Sequence, residues 1–259
     1  MGLNSYFDLS GKTALVTGGS KGLGKSFALA LAEAGADIAV VSRTLGDLAK
    51  VKDDIESLDR QAFAIEVDIT KEEQVAAMVQ ETVEKFGKID ILVNNAATGR
   101  INKPPESTTM DDWSFVIDTN VTGPFLCARA AGRQMIKQGQ GKIINLASIC
   151  GRIIPRYVHG GSYDVSKHAV VAFTRALAVE WARYNITVNA IAPGFFRTEP
   201  NEGFFASNPG VYEKLVEMTP LGRIAEPREL GGLVIFLASD SSNYMTGSVI
   251  IMDGGHTLW

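Results

Sequence analysis

Short apolar runs alternate along the chain with longer stretches of helical period. The runs are TALVTG at 13–18, DIAVVS at 37–42, AFAIEVD at 62–68, IDILVNN at 89–95, KIINLAS at 142–148, ITVNAIA at 186–192 and SVIIMD at 248–253. Strands that are apolar on both faces belong in a parallel sheet covered on each side, and helices between them supply the covers. The pattern therefore predicts an α/β fold, a doubly wound parallel sheet of about seven strands with helices on both faces. Between the third and fourth runs, Val75, Met78, Val79, Thr82 and Phe86 recur at three- and four-residue spacing, one buried stripe of a helix that stops at Gly87. Other helices are expected at about 22–34, 44–58, 111–137, 162–184 and 226–238, the last opened by Glu226-Pro227. No linker or repeat divides the chain, so residues 1–259 are expected to form one domain. The segment 195–221 departs from the alternation, mixing aromatics with turn formers, and reads as a substrate loop or lid.

Composition narrows the function. With 46% hydrophobic and 21% charged residues, a net charge of −4 and no lysine- or arginine-rich block, the sequence offers no nucleic-acid or anionic-membrane surface. A small-molecule partner suits it. Cys127 and Cys150 cannot frame a disulfide scaffold, and the N-terminal stretch has neither a basic region nor an apolar one, so a cytoplasmic location is expected. No metal site is expected.

Directly after the first run stands Thr17-Gly18-Gly19-Ser20-Lys21-Gly22-Leu23-Gly24, and a helix follows at once. Glycines there let the chain turn sharply and bring phosphates to a helix N-terminus, where free N–H groups and the dipole favour an anion. A tight turn without a ligand is the plain alternative. The spacing G-x-x-x-G-x-G, with Asp68-Ile69, NNAA at 94–97, Asn120, Ser148, YDVSK at 163–167, PGFFRT at 193–198 and the terminal DGG at 253–255, resembles the short-chain dehydrogenase/reductase family over nearly the full length. Within it the chain looks most like gluconate 5-dehydrogenase-like and 3-oxoacyl-carrier-protein reductase-like members.

The resemblance implies a Rossmann-type nicotinamide-dependent oxidoreductase that moves hydride between cofactor and a carbonyl or secondary alcohol. Gly18, Ser20, Lys21, Gly22, Leu23 and Gly24 would cradle the pyrophosphate. Asp68 would bind the adenine amino group with Ile69 beside the ring, and Asn95, Ala96 and Ala97 would follow the ribose, Ala97 replacing the family's glycine. Pro193, Gly194, Phe196 and Thr198 would hold the nicotinamide carboxamide, and Tyr163 and Lys167 would also reach the cofactor. At the end of the second strand an acid accepts a ribose hydroxyl, whereas a base accommodates a 2′-phosphate. Here stand Ser42 and Arg43, with Lys21 nearby, so NADP(H) is expected to be preferred and NAD(H) to remain usable.

Reducing a carbonyl builds negative charge on its oxygen, which must be stabilised and protonated. Tyr163 and Lys167, at i and i+4, share a helix face, and the ammonium charge is expected to draw the phenol's pKa down from about 10. Ser148, closing the fifth strand, would donate to the substrate oxygen. Asn120, a poor helix former inside the stretch 111–137, is either a kink or core amide or, by resemblance, the holder of a water leading from Lys167 to solvent. A scaffold that binds NADP(H) without turnover is the reading outside enzymes, and the complete set of four residues argues against it.

Fourteen residues separate Ser148 from Tyr163, more than is usual in the family, so the pocket wall should be reshaped. Arg100, Asn102, Arg152, Arg156 and His159 suit a hydroxylated or carboxylated substrate such as 5-ketogluconate, while Phe195, Phe196, Phe204 and Phe205 could instead enclose an apolar ketone or 3-oxoacyl thioester. The apolar surplus on helices 111–137 and 162–184 predicts a homotetramer, with the C-terminal His256–Trp259 stretch docking on a neighbour or packing locally.

Overall fold

A computed structural model describes residues 6–155 and 160–258, without the side chains of Pro200 and Phe204. Strands β1 (Thr13–Thr17), β2 (Asp37–Ser42), β3 (Ala62–Glu66), β4 (Ile91–Asn94), β5 (Gly141–Leu146), β6 (Ile186–Pro193) and β7 (Val249–Met252) form one sheet in the order β3-β2-β1-β4-β5-β6-β7. Every pairing is parallel. The predicted seven-stranded sheet is borne out.

Successive residues of one strand serve opposite cores, which is why the runs are apolar throughout rather than alternating. Val16, Val40, Val93 and Ile144 pack with Phe27 and Leu31 of α1 (Gly22–Glu33), Leu48 and Ile55 of α2 (Leu45–Glu56) and, from the chain's last helix, Val234 and Leu237. Leu15, Val41, Leu92 and Ile143 face the other way. They meet Val75 and Met78 of α3 (Glu72–Phe86) together with Leu126, Ala131, Met135 and Ala178. Each large side chain fully removed from water contributes about 1.5–3 kcal/mol, so the two layers hold the sheet between them. The α3 stripe is buried as its spacing predicts, and Gly87 ends it in the left-handed conformation, φ 82°.

The stretch 111–137 is not one helix. It divides into α4 (Met110–Ile117), a π-turn over Asp118–Thr122 and α5 (Gly123–Gln138). Pro124 has no N–H for the carbonyl of Asn120 four residues earlier, and its ring would collide with that carbonyl at ordinary pitch. The turn therefore widens, and Gly123 donates to Asp118 five residues back. Further along, α6 (Gly161–Trp181) is followed by a 3-10 turn at Ala182–Tyr184. The segment 195–221 contains α7 (Glu199–Ser207) and α8 (Pro209–Glu217), and α9 (Gly231–Ala238) is preceded by a 3-10 turn at Pro227–Leu230. Among the described residues no helix is long and apolar enough to cross a membrane.

Strand order reverses between β1 and β4, so the connections after these strands leave in opposite directions and open a crevice beyond the carboxyl ends.

Candidate active site

That crevice is a cleft of about 550 Å³. Every residue assigned to the cofactor from sequence lines it: Gly18, Ser20, Lys21, Gly22, Leu23, Gly24, Ser42, Arg43, Asp68, Ile69, Asn95, Ala96, Ala97, Tyr163, Lys167, Pro193, Gly194, Phe196 and Thr198, with Ser148 beside them. Asn120 lies behind the wall, fully buried.

Gly18 and Gly22 take φ of +63° and +56°, which side chains resist, and a Cβ on Gly24 would come within 2.1 Å of the Gly18 carbonyl oxygen. The turn is braced from β4. Asn95 Nδ2 donates to the carbonyls of Thr17 and Gly18, each at 3.0 Å, while Thr17 Oγ1 accepts from the N–H groups of Asn95 and Ala96, both at 3.1 Å. Nothing in the sequence pattern pointed to Thr17 or to the bracing role of Asn95. At the start of α1 no side chain caps the N–H groups and no acid stands in the first turn, so these donors are open to an anion. A pyrophosphate fits here.

At the adenosine end Arg43 is exposed, and no acid takes its place at the tip of β2. Ser42 is bonded to its own loop: its hydroxyl donates to Thr44 O and accepts from Thr44 N, both at 3.2 Å. Asp68 Oδ1 accepts from the N–H and hydroxyl of Thr70 at 3.0 and 2.8 Å. Burial alone would raise the Asp68 pKa, but those two bonds and the charges of Arg43 and Lys71 hold it below the ordinary carboxylate value.

At the other end, Ser148 stands two residues past β5 rather than within it, and caps a 3-10 turn at Ile149–Gly151 by accepting from Cys150 N at 3.1 Å. Its hydroxyl also hydrogen-bonds the phenol of Tyr163. Lys167 is buried one turn along α6, its Nζ 5.6 Å from the Tyr163 ring centroid and donating to Leu146 O at 2.8 Å. The expectation that Lys167 draws the phenol down is not met in the protein alone. Burial pushes Tyr163 up to about 12, outweighing the Ser148 hydrogen bond and the charge of Arg100, and burial pushes Lys167 down to about 8. The ammonium has been drawn to a backbone carbonyl and is itself desolvated.

Asn120 is both kink and clamp. Its Oδ1 accepts from Thr98 N at 2.7 Å, and its Nδ2 donates to Thr98 O and Ser166 Oγ, each at 3.1 Å, so its amide ties the loop after β4 to α6. A related brace runs deeper: Asn94 Nδ2 donates to Asn145 Oδ1 at 3.0 Å and Asn145 Nδ2 to Thr174 Oγ1 at 2.9 Å.

Arg100, expected from the sequence to meet the substrate, is instead engaged within the protein. Its guanidinium pairs with the buried Asp164 at 2.7 Å and donates to Cys150 Sγ at 2.8 Å. Arg152 is exposed, whereas Arg156 and His159 lie outside the described residues. The aromatics of the 195–221 segment pack within the protein. Phe196 is buried, Phe195 meets His256 edge-on at 5.1 Å, and Phe205 meets Tyr212 at 5.4 Å. The side chain of Phe204 lies outside the described residues, as does Trp259. Among the described residues no group of His, Cys, Asp or Glu could hold a metal.

A family model described as enoyl-(acyl carrier protein) reductase matches residues 18–257. The 2-dehydro-3-deoxy-D-gluconate 5-dehydrogenase of Dickeya dadantii is 40% identical over 257 residues, covering 96% of each chain. The galactitol 2-dehydrogenase (L-tagatose-forming) of Cereibacter sphaeroides is 37% identical over 261 residues and the whole of both chains. The solved gluconate 5-dehydrogenase of Burkholderia cenocepacia, in complex with NADP and tartrate, superimposes with a TM-score of 0.94 at 35% identity over the full length of both.

Proposed function

We propose that this chain, which belongs to the short-chain dehydrogenase/reductase family of NAD(P)-dependent oxidoreductases, interconverts a ketone and a secondary alcohol on a sugar acid of the 5-ketogluconate type, with NADP(H) preferred. The observation that carries the reaction is the meeting of Ser148, Tyr163 and Lys167 at one end of a cleft whose other end offers an uncapped helix N-terminus and Arg43. The bound cofactor supplies or accepts the hydride.

The residues then divide the remaining work. Gly18–Gly24 and the first turn of α1 receive the diphosphate, and Arg43 pairs with a 2′-phosphate as no neutral side chain there could. Ser148 donates to the substrate oxygen, holding it against Tyr163, and Tyr163 gives that oxygen its proton in reduction or takes it in oxidation. Burial keeps the proton on Tyr163 at working pH, and the facing charge of Arg100 favours its release. Lys167 keeps a positive charge beside it and fixes the cofactor side of the helix. The segment 195–221 covers the substrate as a lid.

Support for a sugar acid comes from relatives of that type that span the whole chain, together with a polar stretch after β4. The galactitol enzyme favours a second reading, a neutral polyol or ketose. Purified protein is assayed with NADPH against 5-ketogluconate, L-tagatose and an acetoacetyl thioester. The reading requires the highest kcat/KM with the sugar acid, and a preference for the thioester would sink it. Tyr163→Phe should abolish turnover while leaving NADPH binding nearly intact, and full activity in that variant would overturn the assigned chemistry.

The exposed Met110, Phe115, Phe125 and Val179 on α4, α5 and α6 support a homotetramer, its helices paired across two-fold axes. Light scattering at micromolar concentration checks the mass.

A further inference from the structure

We infer that Arg100 is a positioning residue for proton transfer at Tyr163, with Asp164 as the anchor that holds its guanidinium on the phenol ring. The inference rests on the reading of Tyr163 as the proton-transferring group. The guanidinium carbon lies 4.8 Å from the Tyr163 ring centroid, within range of a cation over an aromatic face. One nitrogen, Nη2, reaches both Asp164 Oδ1 at 2.7 Å and Cys150 Sγ at 2.8 Å. A single side chain thus joins three pieces of the site: the loop after β4, the turn begun by Ser148, and the first turn of α6. Asp164 follows Tyr163 directly in sequence, so whatever fixes Asp164 also fixes the backbone that aims the phenol.

The arrangement is specified rather than incidental. Asp164 is 3% exposed, and a carboxylate that buried is strongly destabilising without its partner, so the pair locks Arg100 in place. Gly160 makes room for it. A Cβ at that position would stand 1.7 Å from Arg100 Nη1.

The groups facing the phenol are the Ser148 hydroxyl, the Cys150 thiol, the Lys167 ammonium, the Arg100 guanidinium and the Asp164 carboxylate. Lys167 is committed to Leu146 O, which leaves Arg100 as the cation nearer the ring centroid, 4.8 against 5.6 Å. When the phenol gives up its proton, negative charge spreads into the ring, and the contact with Arg100 strengthens at that moment. Asp164 offsets part of the charge while keeping the guanidinium from swinging away. Arg is suited to the task because its planar fork can stack on the ring and bond sideways at once, which an ammonium cannot do.

The test uses the full chain with NADP(H) and the substrate of highest kcat/KM. Arg100→Gln, Arg100→Lys and the double variant Arg100→Gln/Asp164→Asn are compared by kcat, by the pH profile of alcohol oxidation, by NADPH affinity and by melting temperature. The double variant leaves no lone buried charge, so it is the one expected to fold. Its kcat should fall about tenfold or more, as for a misplaced reacting group, with NADPH affinity within about twofold of the parent. Arg100→Lys should recover part of the loss. In Arg100→Gln the rising limb of the oxidation profile should move to higher pH, because the phenolate has lost a facing cation. An unchanged kcat and profile in the folded double variant would overturn the inference, as would a loss in kcat matched by equal losses in NADPH affinity and melting temperature. Activity in Tyr163→Phe would instead remove the underlying reading; an inactive Tyr163→Phe beside unaltered Arg100 variants removes the inference alone.

Discussion

One amide nitrogen of Asn95 bonds the carbonyls of Thr17 and Gly18 at 3.0 Å each, fastening the end of β4 to the turn that leaves β1. The glycine turn is therefore held from outside as well as by its own backbone. Each such hydrogen bond contributes about 0.5–1.5 kcal/mol, and a buried carbonyl left unpaired costs more. Asn95→Ala should weaken NADPH binding by about tenfold or more with little change in KM for the carbonyl substrate. Fluorescence titration measures it, and an unaltered Kd would show that the brace is dispensable.

Gly24 has no room for a methyl group, since its Cβ would meet the Gly18 carbonyl at 2.1 Å and Asn95 Nδ2 at 2.3 Å. Gly24→Ala should destabilise the fold by about 3 kcal/mol and separate α1 from the turn. Chemical denaturation gives the number. Gly46, where a Cβ meets nothing within 4 Å, is the matched control, and Gly46→Ala should be neutral or stabilising.

Arg43 bears on cofactor choice. Replacing it with Asp should lower kcat/KM for NADPH relative to NADH by about tenfold to a hundredfold, the range of a charge-assisted phosphate contact. The ratio of the two kcat/KM values is the readout, and an unchanged ratio would place phosphate recognition elsewhere.

Stability should depend on pH in the alkaline range. Burial pushes Lys167 and Lys142 down to about 8, while in the unfolded chain each holds its proton to about 10.5. Between these values the unfolded state binds more protons, so stability rises as pH increases from about 8. Tyr163 acts oppositely above about 10, because the folded protein keeps that proton to about 12 and the unfolded chain releases it. Denaturation midpoints should therefore climb from pH 8 to about 10 and then flatten or fall. Lys142→Met, which removes a half-buried amine bonded to Ser242 Oγ at 3.1 Å, should make the climb shallower.

The sheet was legible because its strands are buried on both faces and so announce themselves as unbroken apolar runs. Tyr163 and Lys167 were legible because helical period alone brings i and i+4 together. The split at Asp118–Thr122 had a signal that the apolar pattern hides: Pro124, four residues beyond Asn120, is tolerated in the first turn of α5 but not in the interior of one continuous helix. Ser148 lies just past β5 rather than at its end, since Ala147 continues the apolar run and still donates to Ile191 O at 2.8 Å before the chain turns at Ile149–Gly151. The pairing of Arg100 with Asp164 had no local signal at all. The two residues are far apart in sequence, and only the crossing from β4 through α5 and β5 to α6 makes them neighbours.

The reversal of strand order between β1 and β4 divides labour within the chain. On the proposed reading, the residues that would meet the dinucleotide's phosphates and adenosine come mostly from before that reversal, whereas Ser148, Tyr163 and the 195–221 segment come after it. Descent can therefore rewrite what is oxidised without retuning what carries the electrons. An engineer could exploit the same seam, exchanging the later connections for those of a polyol-active relative while keeping Tyr163, Lys167, Pro193, Gly194, Phe196 and Thr198, so that the coenzyme's phosphates, adenosine and nicotinamide keep their proposed contacts.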